Sequence, residues 1–187
     1  MTTPKSHRSR GDRRTAALDD AVRAALGEHA QRLPQFDPAD AGVRAEVLLL
    51  LKSPGSGAAN RGIVSLDTGD APAERLREAV ERAGLSRSTL AVWNVIPWPL
   101  DRPNRSLRVA ELDRAFPALR AVIDRLPRLR AVVLMGGATH RAWERFERSE
   151  CFPRRDLRVT HACSPRAQGR SRERVVASLT QAIRAAM

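Results

Sequence analysis

Three short apolar runs punctuate the chain: EVLLLL at 46–51, LAVWNVI at 90–96 and AVVLM at 131–135. A fourth segment, DLRVTH at 156–161, is shorter on apolar residues but flanked in the same way. Runs of this length predict strands, and unbroken ones suit strands covered on both faces of a parallel sheet. Between them the spacing becomes helical. Residues 13–31 carry Ala17, Val22, Ala25 and Leu26 near one helical face, and Pro34, Pro38 and QFDPADAG close that helix. Residues 71–84 place Pro72 in a first turn, Glu74 near the positive end and Gly84 after the last turn. Helices are also expected over 108–126, bent at Pro117, over GGATHRAWERFER from Gly136, and over 171–186. Trp143 and Phe146 have the spacing of core positions, and His140 reads as a surface or capping residue. The stretch 52–70, KSPGSGAANRGIVSLDTGD, reads as one long loop, a length associated with function or disorder.

The resulting order, α-β-α-β-α-β-α-β-α, predicts a three-layer α/β/α domain around a short four-stranded parallel sheet. Residues 1–12, MTTPKSHRSRGD, lack apolar periodicity and read as a disordered basic arm, leaving 13–187 as a single domain.

Composition adds a partner class. Thirty-three Lys and Arg face 21 Asp and Glu, a net charge of +12. Such a chain is drawn to polyanions, although charge alone leaves DNA, RNA, an anionic surface or a merely solvated face open. No membrane span and no secretory segment are visible, so a cytoplasmic monomer is expected. Cys151 and Cys163 form no C-x-x-C pair and have no further cysteines to complete a zinc or iron–sulfur site.

Ligands of open parallel sheets bind outside the carboxyl ends of the strands. The four loops there carry Lys52-Ser53-Pro54-Gly55, then Asn94 with Pro97, Trp98 and Arg105, then Gly136-Gly137, then His161 with Ser164, Pro165 and Arg166. The first loop lacks the G-x-x-x-x-G-K-[ST] and G-x-G-x-x-G phosphate cradles. No G-x-S-x-G elbow surrounds Ser53, which disfavours a serine hydrolase.

An apolar strand into x-x-P-G, then G-x-x-S, a strand bearing N-x-x-P, a strand into Gly-Gly and a strand into a His-containing Ser-Pro loop resembles the uracil-DNA glycosylase superfamily. The likeness covers roughly 33–186 and is nearest to a divergent actinobacterial-type branch, across QFDPADAG, LLLLKSPGS, GIVSLDTGD, WNVIPWPL and LRVTHACS. It implies a monofunctional glycosylase that excises uracil or a related deaminated base from single-stranded or mismatched DNA, without metal or cofactor. Ser53 then falls at the water-activating position, where better-known branches carry Asp, Asn or Ala. Pro54 and Gly55 complete that loop, Val64 supplies an apolar wall, and Asn94 reads the edge of the base. His161 is implied to stabilise charge on the leaving base, as the His of an H-P-S loop. Ser65, Ser164, Arg105 and Arg166 are candidate phosphate contacts, and Trp98 reads equally as base-stacking or packing.

A neutral hydroxyl at Ser53 polarises water less than a carboxylate. Three readings stay open: Ser53 positions water with backbone carbonyls, Asp67 or Asp70 supplies the carboxylate, or the protein binds nucleic acid with little or no hydrolysis.

Overall fold

The computed structural model describes residues 10–30, 33–102, 104–153 and 156–187. The elements run α1 (Arg10–Leu26), β1 (Gln35–Phe36), β2 (Val47–Leu51), α2 (Ser56–Arg61), β3 (Ile63–Val64), α3 (Ala71–Ala83), β4 (Leu90–Asn94), α4 (Val109–Asp124), β5 (Ala131–Met135), α5 (Gly137–Glu147), β6 (Arg158–Ala162) and α6 (Arg172–Ala186).

The four apolar segments pair as a parallel sheet in the order β4-β2-β5-β6. Its two central strands are dry: Leu48, Leu49, Leu50, Val132 and Val133 are fully buried. Helices α3 and α6 pack together on one face, and α1 and α4 on the other. Helix α5 joins the α4 side, where Phe146 meets Phe116 at 5.1 Å between ring centroids. Trp143 and Phe146 are core residues, with the Trp143 indole N–H donating to Glu147 Oε1 at 2.8 Å.

Local chemistry accounts for the helix ends. Asp70 caps α3 by accepting from Ala73 N at 2.9 Å, with Pro in its first turn and Gly84 at φ +77° after its last. Ser171 caps α6 through Arg174 N at 3.3 Å. Helix α4 runs through Pro117, so the expected bend does not break the element.

Three differences from the sequence pattern stand out. Helix α1 begins at Arg10, so the last three residues of the expected arm are helical, while 1–9 lie outside the described residues. Strand β4 ends at Asn94 rather than 96. The stretch 52–70 holds α2 and β3, and β3 pairs in parallel with β1.

That small β1–β3 pair is anchored by ions. Arg87 Nε donates to Asp40 Oδ1 at 2.8 Å and its Nη2 to Asp37 Oδ2 at 2.8 Å, while Nη1 pairs with Asp67. Ser65 donates its hydroxyl to Asp37. One guanidinium therefore ties QFDPADAG to the second half of the 52–70 stretch and to the turn before β4. Asp40 is only 3 % exposed, and burial pushes its carboxyl up to about 7 against the pull of Arg87.

The sign of the linkage follows. A carboxyl raised from 3.8 to about 7 on folding binds its proton more tightly in the native state. Its contribution to stability is full below the unfolded value and is lost as pH rises through the folded one. Between those limits wild-type protein is expected to gain stability relative to Asp40→Asn as pH falls, by at most ~1.4 kcal/mol per pH unit. Paired urea titrations from pH 8 to 5 measure this, and parallel curves for the two proteins refute it.

Candidate active site

Strand β2 leads through α3 to β4 on one side, whereas β5 leads through α5 to β6 on the other. The neighbouring carboxyl ends of β2 and β5 therefore diverge, and a crevice opens at this switch point. It forms a cavity of about 260 Å³, the size for a base or nucleoside-sized group rather than a dinucleotide.

The loop after β2 supplies the floor. Ser53 is 6 % exposed, and its Oγ is buried without a hydrogen-bond partner among the described residues. Pro54 and Gly55 follow it along the cavity wall. Gly55 leaves room for Arg166: a Cβ there would lie 1.7 Å from Arg166 Nη2, so a larger residue would make this guanidinium shift. Arg166 arrives from the loop after β6, its backbone N–H donating to Ser164 Oγ at 3.2 Å. That loop is held against β5, where Gly136 N donates to Ala162 O at 2.9 Å. Gly136 has φ +96°, and a Cβ on it would meet Ser164 Cβ at 3.0 Å.

Strand β4 ends in Asn94, which is 2 % exposed and lines the cavity. Its Nδ2 is buried and donates to no described residue. Native proteins rarely bury an amide N–H unpaired, because the lost hydration costs about 1–3 kcal/mol. Because Asn94 also lines the cavity, its amide is the candidate for meeting an acceptor on a ligand. Val64 provides an apolar wall, and Ser65 lines the cavity with its hydroxyl committed to Asp37.

Charge in the cavity is mostly positive. Lys52 lines it beside Arg166 and donates to the Arg105 carbonyl at 3.1 Å. Burial, then the neighbouring Arg166 and Arg105, lower the Lys52 pKa. Asp70 is the sole carboxylate among the described lining residues, positioned by its capping of α3.

A family model described as the uracil DNA glycosylase superfamily matches residues 38–184, most of the chain. The chain belongs to that superfamily. No curated protein matches it.

Measured against the superfamily pattern, the cavity gathers Ser53, Pro54, Gly55, Val64, Ser65, Asn94, Ser164 and Arg166. Four expected residues lie elsewhere. His161 is exposed on β6, its ring 4.1 Å from that of His140 at the start of α5. Partial burial and His140 push its pKa down. The superfamily's H-P-S loop has His two residues before Ser, and here Ala162 stands two before Ser164. His161 is one position further back, and one residue along a strand reverses the facing of a side chain. Asp67 is about half exposed and paired with Arg87. Trp98 lies outside the cavity lining, packed against the core with the Arg114 guanidinium 4.3 Å over its ring. Arg105 spends its guanidinium on Glu111, at 2.8 Å to Oε2, and on Asp101, which removes it as a phosphate contact.

The superfamily cavity also contains Thr68 and Asn104, which the sequence pattern did not single out, together with Lys52, named there only as part of its loop, and Asp70, named there as an alternative to Asp67. Asp70 had a signal, since an Asp before Ala-Pro marks a helix cap at the mouth of a ligand loop. Asn104 had none, being one polar residue among several in DRPNRS.

Proposed function

We propose that the protein hydrolyses the N-glycosidic bond of uracil, or of a related deaminated base, in DNA. The observation that carries this is the unpaired Asn94 amide on the wall of a base-sized cavity, in a chain of the uracil DNA glycosylase superfamily. Asn94 offers an N–H donor and a C=O acceptor to the edge of uracil, a pairing that cytosine does not complement. The departing base carries negative charge, and Arg166 and Lys52 give the cavity the matching sign. Ser53 and Asp70 are the groups placed to orient the attacking water. Single-stranded or mismatched DNA is the expected substrate, because an unpaired base costs least to extrude, and the +12 charge favours phosphate.

The test is base release from oligonucleotides carrying uracil, hypoxanthine or xanthine, with abasic sites cleaved by alkali. Product is expected from at least one, and His161→Ala is expected to stay within ~3-fold of wild type, because an exposed residue outside the cavity touches no reacting atom. Folded protein that releases none of the three bases overturns the proposal.

One pair of observations favours a second reading, a nucleic-acid-binding protein that does not hydrolyse: a hydroxyl stands at position 53, and His161 lies outside the cavity. Salt-dependent binding of DNA without base release is its signature.

A further inference from the structure

The chain contains 31 arginines and only two lysines, Lys5 and Lys52. Wherever positive charge alone is needed, this sequence uses arginine. Lys52, which carries one of these two amines, nevertheless lines the cavity next to Ser53, as Asn94 and Arg166 do. A guanidinium remains charged at any physiological pH and is a poor nucleophile, whereas an amine beside other cations gives up its proton and attacks carbonyls.

We propose that Lys52 is a nucleophile toward the C1′ aldehyde of an abasic nucleotide, giving the protein a strand-cleaving lyase activity in the same cavity. The proposal rests on the reading above only in that the cavity receives a nucleotide of DNA. It is independent of whether this protein makes the abasic site itself.

Geometry supports it on three counts. Lys52 is half-buried, and its Nζ is oriented by donation to the Arg105 carbonyl at 3.1 Å. The Arg166 guanidinium, pressed against Gly55, shares the cavity and disfavours a second cation there. Burial and the two arginines accordingly lower the Lys52 pKa, enlarging the neutral fraction. Asp70 places a base in the same cavity.

The neutral Lys52 amine adds to the open-chain C1′ aldehyde, giving a carbinolamine. A proton taken from solvent onto the carbinolamine oxygen lets it leave as water, which leaves a protonated imine between Nζ and C1′. The imine acidifies the C2′ hydrogens; one proton passes to a base, for which Asp70 is the available carboxylate. The C2′ electron pair forms the C2′–C3′ double bond as the C3′–O bond breaks and the 3′-phosphate departs. Water then hydrolyses the imine, returning the amine and an unsaturated aldehyde on the 5′ fragment. No oxidant or reductant is consumed.

The experiment uses full-length protein and an oligonucleotide with a preformed abasic site, with sodium borohydride to reduce any imine to a stable amine. Wild type is expected to give a borohydride-dependent covalent adduct, and peptide mass mapping is expected to place it on Lys52. Lys52→Arg, which keeps the charge, is expected to lower trapping and 3′-side cleavage by at least ~10²-fold. No adduct with wild type, or an adduct mapped to Lys5 or the terminal amine, overturns the proposal. So does trapping that persists in Lys52→Arg. Because mapping is done on wild type, a poorly folded variant leaves the result decisive. Trapping without base release would sink the glycosylase reading alone; base release without trapping would sink the lyase alone.

Discussion

Asn94→Ala is expected to lower base release by ~10²–10³-fold while leaving the fold at least as stable. The two halves of this expectation have one cause. The Asn94 Nδ2 is buried and unpaired among the described residues, so the free protein carries a desolvated donor. A desolvated donor costs stability until a ligand acceptor reaches it. Truncation removes both the burden and the recognition. A residue kept only for packing would behave otherwise, because shortening a well-packed side chain that is 2 % exposed destabilises the native state. Single-turnover base release and thermal unfolding of the same two proteins decide it. Activity near wild type, or a large loss of melting temperature, would show that Asn94 is structural.

Gly136→Val is expected to cost about 1–3 kcal/mol and to abolish most of the cavity's function. Gly136 sits at φ +96° and ψ 152°, a region that residues with a Cβ scarcely visit. Its added side chain would also push on Ser164, since even a Cβ comes within 3.0 Å. The loop after β6 then moves, taking Arg166 from its seat against Gly55. For a domain of this size the loss corresponds to a fall of roughly 2–12 °C in Tm. Unchanged melting and unchanged activity would show that the loop tolerates the displacement.

The strands were legible because burial on both faces demands unbroken apolar runs. Their order in the sheet was not legible, because the crossover rules fix the hand of each connection and leave several strand orders open. The site was legible wherever a motif fixed the backbone: Ser53-Pro54-Gly55 at a strand end, Asn94 as the last residue of β4, and Ser164 before Pro165. Helix α2 and strand β3 escaped because six residues and two residues are too short for periodicity to speak. Asp67 and Asp70 are equivalent as letters; only the capping geometry sends one into the cavity and the other to Arg87. Arg105 looked available because one partner, Asp101, lies in the irregular segment before α4, and the contact with the other, Glu111 in the first turn of that helix, is fixed only by the path of the intervening loop. His161 shows the sharpest limit: a motif matched with one residue of slack is harmless in a coil and reverses direction in a strand.

The cavity's two walls differ in how firmly they are held. Asn94 and Ser53 are rooted in buried parts of β4 and of the turn leaving β2, whereas Arg166 and Ser164 hang from β6, a border strand whose residues are all at least partly solvated. Both β4 and β6 border the sheet, but β4 is buried throughout, and a partly solvated strand opens at lower free energy than a buried one. Under the proposed function, a nucleotide swung out of a helix would meet a hinged door on a fixed frame: amide exchange at 158–166 should outpace exchange at 47–51, and the threshold for entry would be set by a few border contacts while the buried frame stays still.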